Sequence, residues 1–143
     1  MELSALNLAD DFKEAQAVED SHRWELSLPN SLEVLATVSP ISSPQERFQA
    51  RLLWSKYPDE PPSIKFRDPE TGRLDLTKAW PIVRGFRPGS FDTCVNWSAE
   101  GFQLHPEWRN DPKFRWDPRG NVLLKILRIL VSELDNHYQA RST

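Results

Sequence analysis

The chain has 143 residues, 38% hydrophobic and 27% charged, with a net charge of −3 and a single cysteine. That length and apolar content exclude a disordered chain and fit one domain whose core needs no disulfide. One cysteine, no basic tract, no apolar run of about 18 residues and a Met1-Glu2-Leu3-Ser4 start unlike a signal peptide argue against nucleic acid and membrane partners and for a reducing, cytoplasmic setting.

Leu3 to Glu19 reads as a helix, because Leu8, Phe12 and Ala15 recur at near-helical spacing among Asp10, Asp11, Lys13 and Glu14. Asp20-Ser21-His22-Arg23 breaks that pattern. Trp24 to Leu28 alternates apolar and polar residues, the mark of a strand, and stops at Pro29-Asn30. Leu32 to Val38 is a second strand, closed by Pro40 and the Ser42-Ser43-Pro44 turn. Phe48 to Trp54 is a third, with Phe48, Ala50, Leu52 and Trp54 on one face. Ser63 to Phe66 is a short fourth. Short turns between successive strands predict an antiparallel meander.

From Asp68 to Phe114, Pro and Gly recur so often that no regular element is expected. So long a loop in a compact domain points to function. Trp80, Trp97 and Trp108 would give it enough apolar area to pack on the sheet. The tryptophans are expected in the core, with Trp54 or Trp80 as the one that could be exposed enough to touch a partner. The last helix has Asp117 as its cap and Pro118 in its first position. Val122, Leu123, Ile126, Leu127, Leu130 and Leu134 form its apolar stripe, and it runs to about Tyr138. Helix, strand meander, long loop and helix make a single α+β domain over residues 1–143.

Three pieces stand in order: Tyr57-Pro58-Asp59-Glu60-Pro61-Pro62 running into Ser63-Ile64-Lys65-Phe66, then Cys94, then Trp116-Asp117-Pro118 before Val122-Leu123-Leu124. This series resembles the core of the ubiquitin-conjugating enzyme family. The resemblance covers about Leu3 to Tyr138 and implies that fold, with an N-terminal helix, a four-stranded meander, a catalytic loop and a crossover helix. It also implies a cis Tyr57-Pro58 bond. The departures are specific. Trp80-Pro81-Ile82 stands where the family carries His-Pro-Asn, the interval from Cys94 to Trp116 is stretched, and no further helices follow the last one. The N-terminal helix is acidic, whereas common members dock the activating enzyme with a basic one. The pattern looks more like the prokaryotic branch, encoded beside a ubiquitin-like protein, an activating enzyme and a deconjugating peptidase. That branch implies a role in conflict or antiviral defence.

On this resemblance Cys94 accepts a ubiquitin-like protein from the activating enzyme as a thioester and transfers it to an amine of a protein target, with no cofactor in this subunit. A thioester carrier needs a partly exposed thiolate on an approachable loop. Cys94 lies in the segment expected to be loop, with no Lys or Arg within four residues to favour its thiolate. Asn96, two residues on, could replace the missing oxyanion donor, or bond its own backbone as a turn residue. His105 could act as a base or orient a lysine, or serve as a structural hydrogen-bonding residue. Asp92 or Asp117 could favour the attacking amine, although for Asp117 the helix cap is preferred.

The rival from another class is a non-catalytic adaptor of the same fold that binds a ubiquitin-like protein or another partner, with Cys94 buried and inert. A small structural protein without thioester chemistry is a third reading. A Cys–His hydrolase built from Cys94 with His105 or His137 is a fourth. Three scattered His and one Cys lack paired metal-ligand spacing. There is no phosphate-binding Gly loop and no nucleophile elbow.

Overall fold

The computed structural model describes residues 2–143. It has an N-terminal helix α1 (Leu3–Ala17) followed by four strands: β1 (Trp24–Asn30), β2 (Glu33–Val38), β3 (Phe48–Leu53) and β4 (Ser63–Arg67). These strands pair antiparallel in the order β1-β2-β3-β4, so the meander forms as the turn spacing predicts. Period-two alternation sends Val34, Ala36, Val38, Phe48, Ala50, Leu52, Ile64 and Phe66 to one buried face. Leu8 and Ala15 of α1 join the same cluster. So does the stripe Val122, Leu123, Ile126, Leu127, Leu130 and Leu134 on the C-terminal helix α3 (Val122–His137).

α3 begins four residues later than the expected cap at Asp117 allows. Gly120, at φ +74°, breaks any helix started at Pro118. Asn121 is the actual cap, accepting from Leu124 N at 2.9 Å. Its amide Nδ2 also donates to Asp11 O and to Glu14 Oε1, which fastens α3 to α1. Asp117 instead takes Arg119 as its partner, and that guanidinium holds the Asp117 carboxyl far below the usual carboxylate range.

The Tyr57-Pro58 bond is cis, as the resemblance implies. Tyr57 is buried. Its hydroxyl donates to Asp11 and accepts from Leu123 N, so one side chain ties the turn to both helices. Burial first, and then the bond to Asp11, push the Tyr57 hydroxyl well above its ordinary pKa. Trp116 Nε1 donates to Pro58 O across 3.0 Å and pins the segment before α3 to the same turn.

Four of the six tryptophans, Trp24, Trp54, Trp80 and Trp97, lie in the core as expected, and neither Trp54 nor Trp80 is exposed to a partner. Trp54 and Trp80 are buried, 2% and 0% exposed. Trp80 packs on Phe66, and Trp54 meets Tyr57 edge to face. Trp108 and Trp116 are the half-exposed ones. Between β4 and α3 the chain is less irregular than its Pro and Gly content predicts. It holds β5 (Pro81–Ile82), β6 (Phe86–Arg87), β7 (Asp92–Thr93) and a short helix α2 (Ala99–Leu104). A last strand, β8 (Ala140–Arg141), pairs with β5.

Candidate active site around Cys94

Cys94 follows a small hairpin. β6 and β7 pair as Phe86↔Thr93 and Arg87↔Asp92. Cys94 N then donates to Gly85 O at 2.6 Å, which extends the pairing by one step. Alternation along a strand decides the faces. Phe86 and Thr93 point inward, 5% and 0% exposed. Arg87, Asp92 and Cys94 therefore share the outer face. Cys94 is half-buried there as a free thiol.

Two backbone positions make this geometry. Gly85 has φ +84°, and a Cβ there would meet Val95 Cγ1 at 2.9 Å and Cys94 O at 3.3 Å. Only glycine lets the two strands approach so closely beside the thiol. Phe91 takes φ +55° at the end of the Pro88-Gly89-Ser90 turn, while its ring packs near Trp80.

The hairpin and α2 are stitched to the free edge of β4. Thr93 Oγ1 donates to Ile64 O, and Ile64 N donates to Glu100 Oε1. Ala99 N donates to Pro62 O, and Lys65 Nζ donates to Phe91 O. An uncovered edge strand would present these groups to other chains. Here they hold the Cys94 segment in place. Ser98, fully buried, donates its hydroxyl to Thr93 O at 2.9 Å and accepts from Gly101 N at 3.1 Å as the cap of α2. The 93–101 turn is thus closed on itself immediately after Cys94.

The other residues expected at the site have partners of their own. Asn96 Nδ2 donates to Phe114 O at 3.4 Å. His105 stacks on Trp108 with ring centres 4.3 Å apart, and its Nδ1 lies 3.1 Å from Glu107 Oε1. Trp108 stacks in turn on Phe114, so His105 ends an aromatic column beyond α2. His137 sits at the end of α3, with Nε2 4.0 Å from Glu133. Among the described residues, no side chain hydrogen-bonds the Cys94 sulfur.

Reading along the chain misses Arg87. No cation lies within four residues of Cys94 in sequence, but hairpin pairing brings Arg87 onto its face. Arg87 Nε and Nη2 bond Asp92 Oδ1 and Oδ2 at 2.7 and 2.8 Å. The hydrogen bonds to the Asp92 carboxylate raise the Arg87 pKa further. Phe86-Arg87 and Phe91-Asp92-Thr93 around Pro88-Gly89-Ser90 carry a hairpin signal that could have located it.

Two residues beyond Cys94, a groove of about 250 Å³ runs between Asn96-Trp97 and α3, lined by Trp116, Val122, Ile126 and Ile129 and by the charged Arg115, Asp117 and Lys125. No group of three or more His, Cys, Asp or Glu able to hold a metal occurs among the described residues. Among the described residues, no helix is long and apolar enough to cross a membrane. No family model matches the chain, and no curated protein or solved structure matches it. Chemically, the arrangement offers one half-buried thiol on the outer face of a turn near the Arg87–Asp92 ion pair.

Proposed function

We propose that this chain is a ubiquitin-conjugating-like transferase with Cys94 as its thioester carrier. The Cys94 thiolate attacks the carbonyl carbon of a thioester held by an activating enzyme. The tetrahedral adduct collapses, expels the activating enzyme's thiolate, and leaves the C-terminus of a ubiquitin-like protein on Cys94. A neutral lysine amine of a target then attacks this new thioester. The amide forms, Cys94 leaves as thiolate, and the amine's proton passes to solvent. The groove beside Trp116 and α3 would receive the extended tail, and proximity on a rigid turn supplies much of the rate.

The observation that carries this reading is the position of Cys94. It is half-exposed, on the outer face of a hairpin stapled to β4, after a cis Tyr57-Pro58 turn and before α3. An adaptor with an inert, buried Cys94 would need that sulfur covered. One observation favours the adaptor: Asn96 and His105 are bonded to Phe114 O and Glu107 and leave the sulfur without a side-chain donor. The two readings separate on a non-reducing gel after incubation with the cognate activating enzyme, ubiquitin-like protein and ATP. The transferase forms a thiol-sensitive adduct that Cys94→Ala abolishes. The adaptor binds the modifier with no such band.

A further inference from the structure

We propose that the Arg87–Asp92 pair sets the nucleophilicity of Cys94, Arg87 as the cation that draws the thiolate and Asp92 as the anion that positions Arg87 and restrains it. The inference rests on Cys94 being the nucleophile of the transfer, and it adds two positioning residues to that site.

The argument is one of register. Arg87 and Asp92 are directly opposite in the ladder, and Gly85 is opposite Cys94. Asp92 and Cys94 are two residues apart on one strand, so their side chains leave the same face. Arg87 is then the diagonal neighbour of Cys94, with Cα atoms about 7–8 Å apart, within reach of a long side chain. Asp92 is the less exposed member, 18% against 43% for Arg87, and its two hydrogen bonds hold the flexible partner in place.

Charges on the neighbouring elements are engaged elsewhere. Lys65 of β4 donates to Phe91 O. Glu100 of α2 accepts from Ile64 N and Ser63 Oγ. Arg84 lies 3.7 Å from Glu133 of α3. Arg115, Asp117 and Lys125 line the groove beyond Asn96; of the charges on the hairpin itself, Arg87 and Asp92 act on a thiolate with opposite signs.

That opposition gives a sharp test. Cys94 is the only cysteine, so the alkylation rate of the intact chain with iodoacetamide reads this thiol alone. The rate follows the thiolate fraction. Unit charges about 7 Å apart in a water-like medium change it roughly threefold. At pH 7 and low salt, Arg87→Gln should slow alkylation by that factor, since it leaves Asp92 unopposed. Asp92→Asn should speed it by a similar factor. Arg87→Lys should stay within about twofold of the parent. At pH 10, where an ordinary thiol is ionised, the rates should converge. Loss of folding exposes Cys94 and speeds both variants, so it cannot imitate opposite signs. Changes of the same sign, rates all within twofold at pH 7, or a gap that persists at pH 10 would overturn the proposal. Thioester formation with the activating enzyme is scored separately. Its absence with the alkylation pattern intact refutes the transferase reading and leaves the electrostatic one standing.

Discussion

Gly101→Ala tests how the Cys94 segment is held. Helix propensity alone says that this change stabilises, since alanine is favoured over glycine inside a helix by about 1 kcal/mol. The tertiary structure says the reverse. A Cβ on Gly101 would sit 1.8 Å from Val95 O, 2.7 Å from Val95 C and 2.9 Å from Val95 N. A normal carbon–oxygen contact is about 3.3 Å, so α2 and the 95–98 turn must separate by about 1.5 Å. These contacts are backbone, with no flexible side chain to swing away. The shift strains the bond from Gly101 N to buried Ser98 Oγ and the bonds from α2 to Pro62 O and Ile64 N. It also loosens Phe102, which is 3% exposed. Overpacking costs about 1–3 kcal/mol, and one or two weakened bonds add about 1 kcal/mol each. After the propensity gain, a net loss of about 1–4 kcal/mol remains. At about 3 °C per kcal/mol for a chain of this size, Tm should fall by roughly 3–12 °C. Urea unfolding with an unchanged m-value checks that the loss is native-state stability. Gly120→Ala is the control, because Gly120 has open space around it and carries only its φ of +74°. It should cost about 1–2 kcal/mol. A Gly101→Ala protein as stable as its parent would refute the close approach of α2 to Val95.

Three further outcomes are expected. Cys94→Ala should abolish thioester transfer while leaving the unfolding midpoint within about 1 kcal/mol, because a small half-exposed residue is replaced by another; Cys94→Ser should give a more stable oxyester or no adduct. Asp135→Asn should cost about 1–2 kcal/mol at pH 7, because Asp135 accepts two bonds from Arg23 and one from Ile41 N. The Arg23 bonds lower the Asp135 pKa from 3.8, so its stabilisation is complete above that value and is lost as pH falls through the lower folded value; urea midpoints of parent and variant should converge in acid. Tyr57→Phe should cost about 1–3 kcal/mol by stranding Leu123 N and the half-buried Asp11 carboxylate. Burial raises the Asp11 pKa and the Tyr57 bond opposes that rise, so Asp11 favours the fold at low pH and this contribution is lost as pH rises through its folded value. The Tyr57→Phe deficit should therefore be larger at pH 7 than at pH 3.

Much of this architecture is legible along the chain because it is repetitive. Alternation in 24–66 and the stripe in 122–134 each repeat one rule over many residues, and burial follows that rule. The Cys94 segment repeats nothing. Its strands are two residues long, and its shape comes from Gly85, Phe91, Ser98 and Gly101, each answering a contact with a distant or folded-back part of the chain. Asp117 looks like the cap of α3 from its neighbours alone. Asn121 takes that role because Gly120 breaks the turn and because Asp11 and Glu14, over a hundred residues away, accept its amide. Trp54 continues the alternation of β3 into the core, whereas Trp80 is placed there by what packs on it, which no local pattern encodes.

The lone cysteine and the two motifs flanking it are properties of the sequence, and they suffice to nominate Cys94. Which charges surround that thiol is a different kind of fact. Arg87 is seven positions from Cys94 in sequence and adjacent on a hairpin face, while Asn96 is two positions away with its amide bonded to Phe114 O. Periodicity reports which side of an element a residue faces. Only the closure of turns and the pairing of strands decide which residues from elsewhere face it.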